Sequence, residues 1–364
     1  MSAKAIVYCE NEFGKIDGKV ANGLARHSEK YEIVGIIDSS KAGLDAGELL
    51  DDIKNGIPVF KTIDEAICVL SHVPDFFIYG IAPLTPLLGD EDRKVIFHAI
   101  KLGMDIVNGT PEFLTEDGAF MQAASTHGVN IYDIRKPPKR KDLHNFSGRI
   151  LDVKTPVVAV LGTDCAVGKR TTAIQLVDAL KLTGLNVVFI ATGQTGLLQG
   201  SRYGVAVDVL SSGYASGEVE NEILNAYETD KPDIIIVEGQ GAMSHPAFTS
   251  SCAILRGAMP DAIIMQHPPK RRNHCDYPDF PMPTLENEIK LVKEFSGSDV
   301  IAITINHENM TDLELENCIV EYEILYKRPV TDVLKNGCGK LVNQLFDTFP
   351  TLLKARSLVW QPQD

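Results

Sequence analysis

Positive charge is in short supply: 35 Lys and Arg stand against 49 Asp and Glu in 364 residues, a formal net charge of −14. Phosphate backbones are gripped by basic faces, so no nucleic-acid partner is expected. Long apolar runs are also missing. None approaches the roughly 18 to 20 residues of a membrane helix. The opening Met1-Ser2-Ala3-Lys4-Ala5-Ile6-Val7-Tyr8 reads as a first strand rather than a signal peptide. Seven cysteines, at 9, 68, 165, 252, 275, 318 and 338, form an odd and scattered set without a C-x-x-C pair. That pattern argues against a disulfide framework and a structural zinc site. Internal repeats and low-complexity tracts are absent. A cytoplasmic protein with no membrane contact is expected.

Apolar content is ample, with 44% hydrophobic and 23% charged residues, and the length suits two domains. In the first half, strand-like runs at Ala5–Tyr8, Ile33–Ile37, Pro58–Phe60, Phe76–Tyr79, Asp105–Val107 and Val129–Tyr132 alternate with helical spacing over Gly18–His27, Asp64–Leu70, Glu91–Leu102 and Pro111–His127. Such alternation predicts parallel strands joined by crossover helices. The basic, proline-containing run Arg135-Lys136-Pro137-Pro138-Lys139-Arg140-Lys141 interrupts it, and residues 135–152 are expected to be a solvated linker. The alternation then restarts. Strands are expected at Val157–Leu161, Val187–Ala191, Ile234–Val237, Ala262–Gln266 and Val300–Ile305, and helices over Lys169–Thr183, Leu285–Phe295, Leu313–Leu325 and Cys338–Phe346. The expected fold is α/β in two domains. Residues 1–134 form a Rossmann-like parallel sheet and residues 153–364 a P-loop NTPase-like parallel sheet.

Between the apolar strand and its helix lies Gly162-Thr163-Asp164-Cys165-Ala166-Val167-Gly168-Lys169-Arg170-Thr171-Thr172. A strand, a glycine-bounded loop and a helix start aim backbone N–H groups and the positive helix end at one spot. Lys169 adds an ammonium for terminal phosphates. All ten residues from Gly162 to Thr171 are therefore candidates for holding a phosphate-bearing cofactor. Five residues separate the glycines instead of four, a spacing that resembles dethiobiotin synthetase and its relatives, P-loop enzymes that form amide-type bonds with ATP. Arg170 replaces the hydroxyl residue that usually holds Mg²⁺. Thr171 is the candidate to take that role over if a Mg²⁺–nucleotide is used, and Arg170 itself suits a highly charged phosphate ligand.

Asp233-Ile234-Ile235-Ile236-Val237-Glu238-Gly239-Gln240-Gly241 delivers a carboxylate at a strand end. Glu238 is a candidate metal ligand through water, or a general base on an amine. His245 follows within a few residues and is a second candidate base, with Asp164 of the phosphate loop a third. Polar residues of the glycine-rich stretch 192–204, chiefly Gln194, Thr195 and Arg202, are candidates for the substrate cleft. So are Arg271 and Arg272 in the basic run Lys270–Arg272, which follows a strand where α/β sheets bind ligands. His274-Cys275-Asp276 offers too few ligand types to specify a metal. In the first half, Glu10-Asn11-Glu12-Phe13-Gly14 stands where a dinucleotide fold would carry its glycines, so NAD(P) is not expected, although Asp38 occupies the ribose-reading position. Gly56-Ile57-Pro58-Val59-Phe60 is similar to a segment of CoA-binding Rossmann domains.

Taken together, the strings Glu12-Phe13-Gly14, Ile37-Asp38-Ser39, Lys41–Gly47, Ile106-Val107-Asn108-Gly109, Arg135–Pro138, the Gly162–Thr172 loop, Thr192–Gly196, Glu238–Gly241 and Pro329–Leu334 are identified with one family. That family pairs a Rossmann-like half with a P-loop half and was long catalogued as a domain of unknown function. The resemblance implies D-glutamate N-acetylation with acetyl-CoA as donor, in a catabolic route beside an enolase-superfamily epimerase. The expected protein is thus an N-acetyltransferase acting on a D-glutamate-like small molecule, and a homo-oligomer. Two alternatives stand beside it: an ATP·Mg²⁺-dependent ligase of the dethiobiotin-synthetase type, and a non-enzymatic nucleotide-dependent switch.

Overall fold

The computed structural model describes residues 3–82 and 87–353. They fall into two compact units, one within residues 1–137 plus 194–201, the other within 138–193 plus 202–364.

The first unit runs β1 (Ala3–Tyr8), α1 (Lys19–Arg26), β2 (Tyr31–Ile37), α2 (Ala46–Asp51), β3 (Val59–Phe60), α3 (Ile63–Leu70), β4 (Phe76–Tyr79), α4 (Asp90–Lys101), β5 (Asp105–Asn108), α5 (Gly118–His127) and β6 (Ile131–Asp133). Its strands are parallel in the order β3-β2-β1-β4-β5-β6, the doubly wound arrangement. Helix α5 starts later than its apolar spacing suggests. Asp117 caps it by accepting from the N–H groups of Ala119 and Phe120, and residues 111–117 stay outside the helix. The carboxylate of Asp38 is fully buried and accepts from Phe13 N–H (3.1 Å) and from the N–H and hydroxyl of Ser40 (3.0 and 2.6 Å). Its acceptor capacity is taken up by the protein's own turn.

From residue 157 the chain runs β7 (Val157–Gly162), α6 (Lys169–Lys181), β8 (Val187–Ala191), α7 (Gln194–Gln199), β9 (Tyr203–Gly204), α8 (Ser212–Asp230), β10 (Ile234–Glu238), α9 (Ser250–Ala258), β11 (Ala262–His267), β12 (Asn273–His274), β13 (Tyr277–Pro281), α10 (Leu285–Ser296), β14 (Asp299–Ile305), α11 (Asp312–Tyr326), β15 (Val330–Thr331) and α12 (Gly339–Thr348), all in the second unit except α7. Seven strands pair in parallel as β15-β14-β11-β7-β10-β8-β9, and β12 and β13 form a separate antiparallel hairpin. Strand β7 is buried at all six positions between β11 and β10. A strand covered on both faces has no polar side to show, which is why Val157–Leu161 is a continuous apolar run.

Two segments depart from the domain division read from sequence. Helix α7 groups with the first unit: Leu198 is buried in that core, and the Gln199 side-chain amide donates to the carbonyls of Gly23 (2.8 Å) and His27 (3.0 Å). Residues 138–152, expected as a solvated linker, belong to the second unit. The N–H groups of His144, Ser147 and Ile150 donate to Glu218 and Glu220, two buried carboxylates on α8. Buried carboxylates need such donors, and the strap supplies them.

Candidate functional site

The phosphate loop leaves the C-terminal end of β7, flanked by the ends of β10 and β11. Ala166 (φ +50°) and Gly168 (φ +101°) both sit in the left-handed region, and Gly168 caps α6. A side chain at Gly168 would be strained there. Lys169 and Arg170 occupy the first turn of α6, at the positive end of the helix dipole, where cations are unfavourable unless an anion joins them.

Lys169 is buried, and among the described residues its ammonium donates to two neutral acceptors, the carbonyls of Asp164 (2.6 Å) and Gly241 (2.9 Å). Burial lowers its pKa, against the opposing pull of Cys165, Asp164 and Glu238. A buried cation on neutral carbonyls, at a helix N-terminus, is a built anion site.

Three neighbours brace the loop. Thr163 shares a 2.8 Å hydrogen bond with Nδ1 of His267, whose pKa burial brings down to about 4. Thr172 donates to Gln266 Oε1 at 2.6 Å. Arg271 spans the loop from the far side. It donates to Asp164 Oδ2 (2.9 Å) and the Cys165 carbonyl (2.8 Å), and its remaining donors meet Glu308 at 2.6 and 2.7 Å.

Asp164 is the hub of the cluster. Its fully buried carboxylate accepts from His274 Nδ1 (2.6 Å), Cys275 N–H (2.9 Å) and Arg271. Burial pulls its pKa up, but the bonds from His274, Cys275 and Arg271 outweigh that and hold it below the ordinary carboxylate value. His245 lies edge-on to His274, ring centroids 4.7 Å apart, and stacks on Phe248 at 4.7 Å. The loop carrying it is anchored from α10: buried Glu288 accepts from Met243 N–H and from the Ser244 hydroxyl.

Hydrogen bonding decides what each side chain can do. His245 Nδ1 accepts from the N–H groups of Ala247 (3.2 Å) and Phe248 (3.3 Å), so the proton of the neutral ring is on Nε2. Burial lowers its pKa and keeps it neutral. Nε2 is sealed from solvent without a hydrogen-bond partner, 3.7 Å from Asp164 Oδ1. His245 therefore offers a donor rather than a lone pair. Ligand-type atoms of Asp164, His245 and His274 lie within 4.8 Å of one another, but protons already occupy the His245 and His274 positions that face Asp164, which does not suit a cation.

Glu238 is buried at the end of β10. Burial raises its pKa, and its carboxylate accepts from the N–H groups of Thr192 (3.0 Å) and Gly193, with the charge of Arg170 nearby. Those bonds suit a residue that fixes the β8–α7 turn, and they leave a Mg²⁺ ion poorly served. Arg170 stands where a nucleotide–Mg²⁺ loop usually carries its hydroxyl, with Thr171 one position along in the first turn of α6.

The structure thus gathers the Gly162–Thr171 loop, Glu238, His245 and Arg271 at one sheet edge. It places others elsewhere. Gln194 and Thr195 lie on α7, grouped with the first unit. Arg202 pairs with Asp230 (2.7 Å) and lies over the Tyr203 ring, outside this cluster. Lys270 pairs with Glu314 at 2.6 Å. Arg272 is exposed and has no ion pair among the described residues. Sequence reasoning missed His274 as Asp164's partner, and Glu288 and Glu308 as anchors. The only available signal was the proximity of His274 to Arg271 in the chain.

Family models match both halves. A P-loop domain described as a domain of unknown function, DUF1611, covers residues 144–342, and its Rossmann-like N-terminal companion covers residues 39–137. A D-glutamate N-acetyltransferase of a Pseudoalteromonas species is 32% identical over 314 residues, 84% of this chain and 91% of the relative. One from Tritonibacter scottomollicae is 27% identical over 274 residues, 74% of this chain and 80% of the relative. The crystal structure of a DUF1611 family protein from Anabaena variabilis superposes with a TM-score of 0.85 at 27% identity, covering 95% of this chain and 100% of that one. Matched in both halves and along most of its length, the chain belongs to the DUF1611 family.

Proposed function

We propose that this chain is an N-acetyltransferase that moves acetyl from acetyl-CoA to the amine of D-glutamate or a related acidic amino acid, with the phosphates of CoA on the Gly162–Thr171 loop. The observation that carries the reading is the similarity, over most of both chains, to relatives named D-glutamate N-acetyltransferase. The site chemistry agrees with it. Lys169 and Arg170 at the start of α6 ask for a polyanion, and CoA phosphates need neither hydrolysis nor a metal ligand. Arg170 in the hydroxyl position and Glu238 on backbone amides weigh against the ATP-dependent ligase. Arg272, exposed and without an ion pair among the described residues, is a candidate to meet a substrate carboxylate. Thiol release from acetyl-CoA, followed with D-glutamate, with L-glutamate and with no acceptor, tests the reading. Release that depends on an acidic amino acid is expected; no release with any of them overturns it.

A further inference from the structure

We propose that His274 is the general base of this acyl transfer and that Asp164 is its positioning residue; the assignment rests on the transferase reading. Asp164 accepts at Oδ2 from Cys275 N–H and from the Arg271 guanidinium, and these bonds with the His274 contact hold its pKa below the ordinary carboxylate value, so it is a carboxylate. The proton in its 2.6 Å contact with His274 therefore sits on Nδ1 of the imidazole. In the neutral ring that leaves the lone pair on Nε2, the nitrogen a base uses. Nε2 has no hydrogen-bond partner among the described residues. The His274 side chain keeps 3% exposure, whereas His245 Nε2 is sealed from solvent.

The other candidates at this sheet edge are occupied. Glu238 accepts from Thr192 and Gly193, His245 Nδ1 accepts from Ala247 and Phe248, and His267, bonded through Nδ1 to Thr163, is brought down to about 4 by burial and by Arg271, too weak a base for an amine. The charged or titratable groups around His274 are Asp164 and Lys169 of the phosphate loop and α6, His245 of the loop after β10, and Arg271, Cys275, Asp276 and Tyr277 of its own hairpin.

The step balances as follows. The acceptor ammonium gives one proton to solvent. Its nitrogen then bonds to the thioester carbonyl carbon, the carbonyl π pair moves to oxygen, and Nε2 of His274 takes a second proton from nitrogen. As the pair returns, the C–S bond breaks and the CoA sulfur leaves with the proton held on Nε2. The products are the N-acetyl amino acid, CoA thiol and a neutral His274.

His274→Asn tests this, because the Asn amide keeps a donor where Nδ1 stands and removes Nε2. With wild type active, the variant's kcat is expected to fall by about 10²–10⁴-fold, while calorimetric CoA affinity holds and the acid limb of the kcat–pH profile disappears. Added imidazole should restore part of the turnover of His274→Ala. Turnover of His274→Asn within an order of magnitude of wild type, or an unchanged acid limb, overturns the assignment. Should that variant not fold, His274→Gln is read by the same criteria. An inactive wild type, by contrast, fells the transferase reading itself and the assignment with it.

Discussion

Asp164 and His274, 110 residues apart, are joined by a 2.6 Å hydrogen bond between Oδ1 and Nδ1. This bond ties the phosphate loop after β7 to the hairpin after β11, so under the proposed function donor binding and proton transfer would share one hub.

Asp164→Asn should separate the two roles. The Asn oxygen can still accept from Arg271 and Cys275, but the amide NH2 then faces His274 Nδ1 and shifts the imidazole to the tautomer that carries its proton on Nε2, which removes the base. Turnover is expected to drop by about 10²-fold or more, with a stability loss of about 2–4 kcal/mol as Arg271 loses a buried negative partner. Kinetics and urea unfolding of the same preparation measure both.

Lys169→Met removes a buried ammonium whose acceptors among the described residues are carbonyls. CoA affinity should weaken about 10–100-fold. The melting temperature should not fall, because holding an ammonium in that site works against folding. Calorimetry and thermal unfolding check the two signs independently.

Acid sensitivity should trace in part to His267, whose pKa burial and the nearby Arg271 bring down to about 4 from the usual 6.5 of a free imidazole. Above pH 6.5 neither folded nor unfolded chain holds the proton, and the native state suffers no penalty. From 6.5 down to 4 the unfolded chain binds a proton the native state refuses, so stability falls by about 3 kcal/mol in total. In His267→Asn the drop between pH 7 and pH 5 should be smaller by about 2 kcal/mol. Urea unfolding at the two pH values reads it, and identical slopes would refute it.

Gly217 on α8 lets the 144–152 strap lie against the helix: a Cβ there would stand 2.2 Å from the His144 carbonyl oxygen. Gly217→Ala should cost about 1–3 kcal/mol by displacing that strap, visible as a lower midpoint in urea.

The central strands were legible because burial on both faces makes Val157–Leu161 of β7, Ile234–Val237 of β10 and Ala262–Met265 of β11 continuous apolar runs. Helix α8 was not. Its first turns, Ser212 to Gly217, contain two glycines and two serines, chosen for close approach to the strap rather than for helix propensity. Helix α7 carries Gly196 and is followed by Gly200, so it read as a loop; its packing on the first unit is a tertiary fact. In the site, the phosphate loop announced itself through local spacing. The basic run could not show that Arg271 braces Asp164 and Glu308, or that Lys270 meets Glu314, because those partners arrive from other strands and helices. Nothing in the sequence sets Glu288 apart from the other carboxylates of α10, yet it is buried beneath the His245 loop.

The most direct test of a P-loop serving acyl transfer is one reaction holding D-glutamate, acetyl-CoA and ATP·Mg²⁺, with products resolved by mass spectrometry. The account predicts an amino acid heavier by one acetyl group and no ADP formed in step with it. ADP accumulating without an acetylated product would contradict the account and favour the ligase.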